Sequence, residues 1–188
     1  MEIINTGFKD LYVIQPKVWE DDRGYFFESF NKLEFRLATG LNVDFVQDNE
    51  SKSQKGVLRG LHFQTGIYAQ SKLVRVVEGT VLDVVVDIRP NSKTYGKYFS
   101  ELLSDFNKKQ LFIPKGFAHG FITISDKAIF LYKCDNYYNK EYEEGIDPLD
   151  INLNIDWKLY SGEFQLSNKD KLHQSFKIYS KNNDYSKK

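Results

Sequence analysis

The segment GVLRGLHFQ, residues 56–64, sets two side chains that could do chemistry, Arg59 and His62, among apolar neighbours at strand-like spacing. A histidine ionises near neutral pH and is the usual general base of enzymes. Burying a cationic group without a partner is costly. The two residues therefore either satisfy each other and nearby acids in a core, or line a pocket that opens onto a ligand. A regular strand would point them to opposite faces, but Gly60 between them allows a bulge that re-aims one of them.

A second polar group lies just upstream, in FVQDNESKSQKG, where Gln47 and Asn49 offer planar amide groups. Such a density of polar groups on otherwise apolar strands is unusual for packing alone. A third group, in DDRGYFFESF, contains Arg23, Phe26 and Glu28. Taken alone, Arg23 and Glu28 would most simply be a solvated surface pair.

Two further motifs carry titratable groups. In FLYKCDNYYNKEYEEGI, Tyr132, Tyr138 and Glu143 stand close in sequence. Tyrosines in strands usually pack with a hydrogen-bonded tip, but a phenol can also donate a proton or stack on a base.

The segment IPKGFAHGF resembles the second conserved motif of the cupin barrels, in which a tight turn projects a histidine, here His119, inward. The first cupin motif normally has two histidines one residue apart, and only His62 stands at that place. Three histidines in the chain, without such a pair, are too few nitrogen ligands for a typical cupin metal site. We therefore expect no metal and no other cofactor.

Period-two alternation dominates the elements that must position these groups. KLVRVVEGTVLDVVVDIR predicts two strands separated at Glu78-Gly79 by a hairpin or sharp bend, and KYFSELLS, KQLFIP, HGFITIS and AIFLYKC predict four more. NKLEFRLATG predicts a short helix with Asn31 as N-cap and Gly40 just beyond its end. The pattern is typical of an all-β antiparallel sandwich or barrel, a fold that often binds a ligand at its mouth.

Composition narrows the class of protein. We expect one domain over residues 1–188, ending in a polar tail from about residue 177 that frays or is disordered. With 26 basic and 26 acidic residues, a general nucleic-acid or membrane-surface protein is disfavoured. The single cysteine, Cys134, suits a reducing compartment. Without a signal-peptide pattern or a long apolar run, we expect a cytoplasmic protein.

Together these segments resemble the dTDP-4-dehydrorhamnose 3,5-epimerase family, over roughly residues 10–172. The resemblance runs from VIQPKVWEDDRGYFFESF through GVLRGLHFQ, QSKLVRVVEGTVLDVVVDIRPNSKTYG and IPKGFAHGF to LYKCDNYY and LSNKD. It departs at EEGIDPLDINLNIDWKLY, which lacks a tryptophan and a later proline that the family usually has. The resemblance implies a homodimeric, metal-independent cupin-type jelly-roll β-barrel with a few short helices that acts on a nucleotide-linked 4-keto sugar.

The resemblance also implies roles. It implies that His62 is the catalytic base with Asp170 as its carboxylate partner, that Tyr132 is the acid on the opposite sugar face, and that Lys72 and His119 lie near the substrate. Substrate and nucleotide contacts are implied for the remaining matching positions: Arg23, Phe26, Glu28, Gln47, Asn49, Arg59, Tyr138, Glu143 and Lys169. Arg59 would then face the diphosphate, which its planar fork suits, and Tyr138 would stack on thymine.

Other functions stay open from sequence. The same residues would serve an epimerase acting at C3 only, or one acting on another nucleotide sugar such as a GDP-linked heptose. A cupin-type 3,4-ketoisomerase would not need the set of His62, Tyr132 and Asp170. A non-catalytic sugar-binding barrel would be expected to lose the base or the acid.

Overall fold

A computed structural model describes residues 1–157 and 161–182. The described strands are β1 (Glu2–Asn5), β2 (Tyr12–Gln15), β3 (Trp19–Asp21), β4 (Gly24–Phe26), β5 (Gln47–Gln54), β6 (Leu58–Gln64), β7 (Lys72–Glu78), β8 (Thr80–Asp87), β9 (Tyr98–Ser104), β10 (Gln110–Ile113), β11 (Phe117–Thr123), β12 (Lys127–Cys134) and β13 (Glu143–Gly145). The α-helices are α1 (Lys32–Thr39) and α2 (Phe176–Asn182), and short 3-10 helices span Gly66–Tyr68, Lys140–Tyr142 and Asp170–Leu172.

The strands form two main antiparallel sheets. A six-stranded sheet has the order β1-β2-β10-β7-β12-β5, and a five-stranded sheet has the order β13-β6-β11-β8-β9. Strands β3 and β4 pair separately as a small hairpin. Neighbouring strands in space are mostly distant in sequence, as in a jelly roll. The described ladders do not join the two sheets into a closed barrel, so the all-β expectation is confirmed as a jelly-roll sandwich.

The main core lies between the two sheets, because alternate residues of each strand point inward. Its buried members come from both sheets and include Val74, Val76, Val85, Phe121 and Phe130. A second core covers the outer face of the five-stranded sheet, where the chain beyond β13 packs onto it. That core includes Leu58, Leu61, Phe63, Trp157 and Tyr179.

Helix α1 forms where the capping pattern predicts it. The Asn31 side chain accepts hydrogen bonds from the backbone N–H groups of Leu33 and Glu34, which have no partner within the helix. Gly40 ends the helix with φ 74°, and its N–H donates to the Arg36 carbonyl. Phe35, on the inward side, is buried against the outer face of the six-stranded sheet.

Two local predictions need correction or refinement. Strands β7 and β8 belong to different sheets, so Glu78-Gly79 is a sharp bend and not a paired hairpin. The polar tail predicted from about residue 177 is wrong for its first part. Residues Phe176–Asn182 form α2, in which Tyr179 is 1% exposed and packs on the second core. The rest of the predicted tail, residues 183–188, lies outside the described residues. No helix in the described ranges is long and apolar enough to cross a membrane.

Candidate active site

The bulge expected at Gly60 is present, and it turns Arg59 and His62 to the same face. In the pairing of β6 with β11, His62 lies opposite His119 and Arg59 lies opposite Phe121, with a register shift between the two pairs. The step of three residues from Arg59 to His62 in β6 therefore spans the same length as the step of two residues from His119 to Phe121 in β11. His119 and Phe121, two positions apart, share a face, so Arg59 and His62 do too. Both face the space between the sheets.

Glycine is required at the bulge. Gly60 has φ 122°, and a Cβ placed on it would lie 2.6 Å from the Cα of Gly120 and 2.8 Å from the carbonyl oxygen of His119. Leu58 and Leu61, on either side of it, both pack into the second core. The bulge thus keeps the apolar side chains outward while the polar ones turn inward.

His62 has a buried carboxylate partner. Its Nε2 lies 2.7 Å from Oδ1 of Asp170, which is 4% exposed and begins the 3-10 helix at Asp170–Leu172. Burial by itself would raise the pKa of Asp170, but the hydrogen bond and charge of His62 outweigh burial, and the pKa is lowered. The carboxylate is therefore ionised at neutral pH and can hold the Nε2 proton of His62, which leaves Nδ1 as the basic nitrogen.

Tyr132 and Lys72 come from the facing sheet. Tyr132 packs with the inner core, and its neighbours across the sheet are Asn49 on β5 and Val74 on β7. Two positions along β12, Cys134 lies between Gln47 and Lys72 in the same way. The Lys72 ammonium is 5.8 Å from the centroid of the Tyr132 ring.

Burial shifts the pKa values of Tyr132, Lys72 and Cys134. It raises the pKa of the Tyr132 hydroxyl, with smaller raising effects from Cys134 and Glu143 and a lowering effect from Arg59, so the phenol stays protonated at neutral pH. Burial lowers the pKa of Lys72, against the opposing charges of Cys134, Asp83 and Glu143. It also raises the pKa of the Cys134 thiol to about 11, which leaves that thiol unreactive.

His119 is 8% exposed and is held by an acid. Its Nε2 lies 2.8 Å from Oδ2 of Asp83, a fully buried residue of β8. Burial raises the pKa of Asp83, and the charges of His119 and Lys72 act against that rise. Lys72 from the six-stranded sheet and the His119–Asp83 pair from the five-stranded sheet thus interact electrostatically across the space.

Five of the expected substrate contacts form a chain of hydrogen bonds at the mouth. The Tyr138 hydroxyl donates to Glu143 Oε2 at 2.7 Å, and the Lys169 ammonium forms an ion pair with the same oxygen. The Tyr138 backbone N–H donates to Gln47 Oε1 at 3.1 Å, and Gln47 Nε2 donates to Asn49 Oδ1 at 2.9 Å. Burial would raise the pKa of Glu143, but the hydrogen bonds from Lys169 and Tyr138 leave it lowered.

The remaining expected contacts, Arg23, Phe26 and Glu28, are not brought to this space within one chain. The Arg23 side chain is 90% exposed and pairs with Asp21, and Phe26 is 66% exposed. The segment that follows runs along the outer face of the six-stranded sheet. There, Gln110 Nε2 donates to the Ser29 carbonyl at 2.9 Å. The hairpin therefore stands on the side of that sheet opposite its own Tyr132.

A surface recess of about 960 Å³ lies elsewhere, lined in part by Lys9, Arg89, Lys93 and Lys115. It contains none of the expected site residues. Arg89 is held by Asp87 at 2.7 Å, and Lys115 lies 3.5 Å from Asp135. Exposed lysines alone do not identify a ligand, and the candidate site described here remains the one around His62.

Comparison with known proteins identifies the family. The family model described as dTDP-4-dehydrorhamnose 3,5-epimerase matches residues 5–177. The chain belongs to this family.

Individual relatives within the epimerase family cover most of the chain. The dTDP-4-dehydrorhamnose 3,5-epimerase of Escherichia coli K12 is 55% identical over 162 residues, which are 86% of this chain and 88% of that protein. The crystal structure of the Elizabethkingia anophelis NUHP1 enzyme has a TM-score of 0.90 at 52% identity, covering 95% of this chain and 97% of that one. A Legionella pneumophila epimerase in complex with dTDP-4-keto-L-rhamnose has a TM-score of 0.91 at 48% identity, with 94% and 93% covered. The resemblance seen in the sequence is confirmed, and the chain is an isomerase of the carbohydrate epimerase type.

Two residues of the site escape the sequence analysis. Asp83 had a detectable signal, because it is a carboxylate in the middle of the β-branched run VLDVVVDI, where a charge needs a partner. His173 lies three residues after Asp170, a spacing that a 3-10 helix brings to one side. Its ring stands perpendicular to that of His62, with centroids 5.3 Å apart. Burial and the charge of His62 lower the pKa of His173.

Proposed function

We propose that the protein inverts C3 and C5 of dTDP-4-dehydro-6-deoxyglucose to give dTDP-4-dehydro-L-rhamnose. One observation carries the proposal: the His62–Asp170 pair and Tyr132 project from facing sheets into the same space. A sugar ring bound between the sheets would have a base on one face and an acid on the other. Inversion of a C–H centre needs that arrangement, because the proton must leave from one face and return on the other.

The substrate ketone supplies the acidity. In a 4-keto sugar both C3–H and C5–H flank the carbonyl, so the electron pair left by either proton moves onto the C4 oxygen. Nδ1 of His62 takes the proton, and Asp170, held at Nε2, stabilises the imidazolium that forms. The same base serves both carbons if the ring turns or shifts between the two steps.

The enolate oxygen needs positive charge beside it. Lys72 and His119 are the cationic or proton-donating groups that we assign to this role, because a preorganised donor at a developing oxyanion is usually a leading catalytic contribution. Asp83 orients His119 through the 2.8 Å contact at Nε2. Tyr132, protonated because burial raises its pKa, then delivers a proton to the opposite face.

The chain of contacts at the mouth suits the nucleotide. Tyr138 is 51% exposed and presents an aromatic face on which a thymine base could stack. We assign Arg59 to the diphosphate. Its guanidinium is held by Ser53 Oγ at 3.0 Å and by the Lys52 carbonyl at 3.3 Å. That orientation leaves part of its planar fork for diphosphate oxygens.

We further propose that the enzyme is a homodimer in which the β3–β4 hairpin completes the partner's site. The hairpin stands away from its own pocket, and Trp19, Tyr25 and Phe26 on it are all about half exposed or more. Arg23, Phe26 and Glu28 could then meet the substrate only in a second copy. A cytoplasmic location stays a prediction from sequence.

Mixed dimers test the hairpin assignment. His62→Asn and Arg23→Ala should each inactivate the homodimer, but co-expressed heterodimers should regain up to one active site in two. In such a heterodimer, one site carries both lesions and the other carries neither. If each hairpin served its own chain, both sites would keep one lesion, and no activity would return.

The substrate experiment follows label. Incubation with dTDP-4-dehydro-6-deoxyglucose in D2O, with NMR of the product, should show deuterium at both C3 and C5 and the L-rhamno configuration. His62→Asn serves as the matched control and should show neither. Label and inversion at C3 alone, or turnover only with a GDP-linked sugar, would replace the proposal with one of the alternatives named above.

A further inference from the structure

We propose that His62, Asp170 and His173 together form a binding site for a transition-metal ion of the Zn²⁺ type, and that an ion bound there switches the epimerase off. The binding part stands on geometry alone. The switching part rests on the proposed function, because it requires His62 to be the base.

The three side chains offer a zinc-like donor set. One ligand atom from each lies within 4.8 Å of the others, and His62 Nε2 and Asp170 Oδ1 are 2.7 Å apart. Ligands at about 2.0–2.1 Å from a tetrahedral zinc stand roughly 3.3 Å from one another. Shifts of about an ångström would therefore seat an ion between two imidazoles and a carboxylate, with the fourth position left for water.

His173 is seated against a position that only glycine permits. A Cβ on Gly145 would lie 2.3–2.6 Å from three atoms of the His173 ring, and Gly145 is the strand partner of His62. Among the described residues, the buried Nδ1 of His173 has no hydrogen-bond partner. A buried polar atom normally has one, and one ring nitrogen of His173 lies within 4.8 Å of ligand atoms of His62 and Asp170. The His62 side chain is 29% exposed, which provides a way in.

Coordination would remove the base by changing its tautomer. With Nε2–H donating to Asp170, the lone pair of His62 is on Nδ1. A metal ion on Nε2 displaces that proton, and the neutral ring then carries its one proton on Nδ1. The nitrogen that should accept the substrate proton has no lone pair left, so no proton transfer can begin.

The experiment measures binding and activity separately on the full-length protein. Zn²⁺ titration by calorimetry, with the visible absorption of Co²⁺ as a second probe, gives stoichiometry and affinity. Epimerase assays with and without Zn²⁺ give inhibition. The test variants are His173→Gln, which keeps a polar side chain, and His173→Phe, which keeps a ring against Gly145. Cys134→Ser is the control for thiol binding. Circular dichroism melts check that each variant is folded.

We expect one Zn²⁺ per chain and loss of turnover as the site fills. Both His173 variants should bind Zn²⁺ at least about 100-fold more weakly, and the fraction of each variant's own metal-free turnover that Zn²⁺ removes should fall to the same degree. Cys134→Ser should bind and be inhibited like the wild type. Absence of binding, or binding unchanged in both His173 variants, would overturn the site. Binding that depends on His173 but leaves turnover intact would overturn the switch. If the wild type never turns over the dTDP sugar, the calorimetric result still decides the site.

Discussion

Replacing Gly60 by alanine tests the bulge on which the site depends. The added Cβ would lie 2.6 Å from Gly120 Cα and 2.8 Å from the His119 carbonyl oxygen, closer than real Cβ contacts, and both atoms are backbone. No side chain can move aside to relieve the contact. Strands β6 and β11 must separate locally, at the pair that holds His62 opposite His119.

The loss of folding stability in Gly60→Ala has two parts, and the control variant Gly40→Ala separates them. Gly40→Ala also places alanine at positive φ, 74°, but its Cβ meets nothing within 4 Å, so it reports conformational strain alone, about 1–2 kcal/mol. Gly60→Ala carries at least that strain, because φ 122° lies outside the left-handed helical region, plus overpacking of about 1–3 kcal/mol. For a chain of this size, the extra part lowers the melting temperature by about 2–12 °C beyond Gly40→Ala.

Activity gives the sharper readout. A displacement near 1 Å of a catalytic group can cost about 100-fold in rate, and we expect a loss of that order in kcat for Gly60→Ala. Gly40→Ala, at the end of a helix on the outer face of the other sheet, should keep full activity. Melting curves and the NMR assay measure the two effects. If Gly60→Ala has the same melting temperature as Gly40→Ala and retains wild-type kcat, the bulge does not position His62.

Tyr132→Phe should cut net inversion by about 10²–10⁴-fold while deuterium still exchanges into the substrate, because the base remains and only the acid is lost; equal loss of exchange and inversion would mean that the tyrosine positions substrate. Tyr138→Ala should weaken nucleotide binding by about 1–3 kcal/mol with kcat at saturation nearly unchanged, and a change in kcat alone would contradict stacking. Exhaustive chelation should leave turnover intact, since the proposed chemistry uses no metal, and activity restored by one specific divalent ion would refute that. The pKa of Asp170 is lower in the folded protein than in the unfolded chain. Its ionised carboxylate therefore stabilises the fold at pH values above the unfolded pKa, and this stabilisation is lost as pH falls through the folded pKa. Denaturant titrations of Asp170→Asn should accordingly lose less stability than the wild type below about pH 4, and parallel acid profiles would count against the pairing.

Local patterns predicted most of the fold. Strands β6 to β12 follow from period-two alternation, and α1 follows from Asn31 and Gly40, because capping and pleating depend on neighbours in sequence. The short strands β1 to β4 and β13 carry too few residues to show such a pattern. The bulge could be anticipated for the same reason, since a glycine between two polar residues is a local signal. The sequence does not decide between a hairpin and a sharp bend at Glu78-Gly79, because no local signal says which sheet a strand joins.

Contacts between distant segments were harder to predict. His62 and Asp170 are 108 residues apart, and only the family motif LSNKD connected them. His173 belongs to no such motif, and its closeness to His62 depends on the absence of a side chain at Gly145 on a third segment. The sequence identifies the motif DDRGYFFESF but not its distance from His62 within one chain. That distance arises because residues 27–29, which follow the β3–β4 hairpin, cross the outer face of the six-stranded sheet.

The position of Asp170 beside His62 depends on apolar packing outside the candidate site. Beyond β13 the chain covers the outer face of the five-stranded sheet, where Leu153, Trp157 and Tyr179 are buried. The Trp157 indole N–H donates to the Pro148 carbonyl at 3.0 Å, which satisfies its polar atom inside this layer. Besides Trp157 and Pro148, the layer lacks a second tryptophan and a second proline that the family usually has, yet the Asp170–Leu172 turn within it still lies against β6. The burial that stabilises the layer therefore also holds the Asp170 carboxylate 2.7 Å from His62. If His62 is the proposed base, activity and the stability of this outer layer are expected to be lost together.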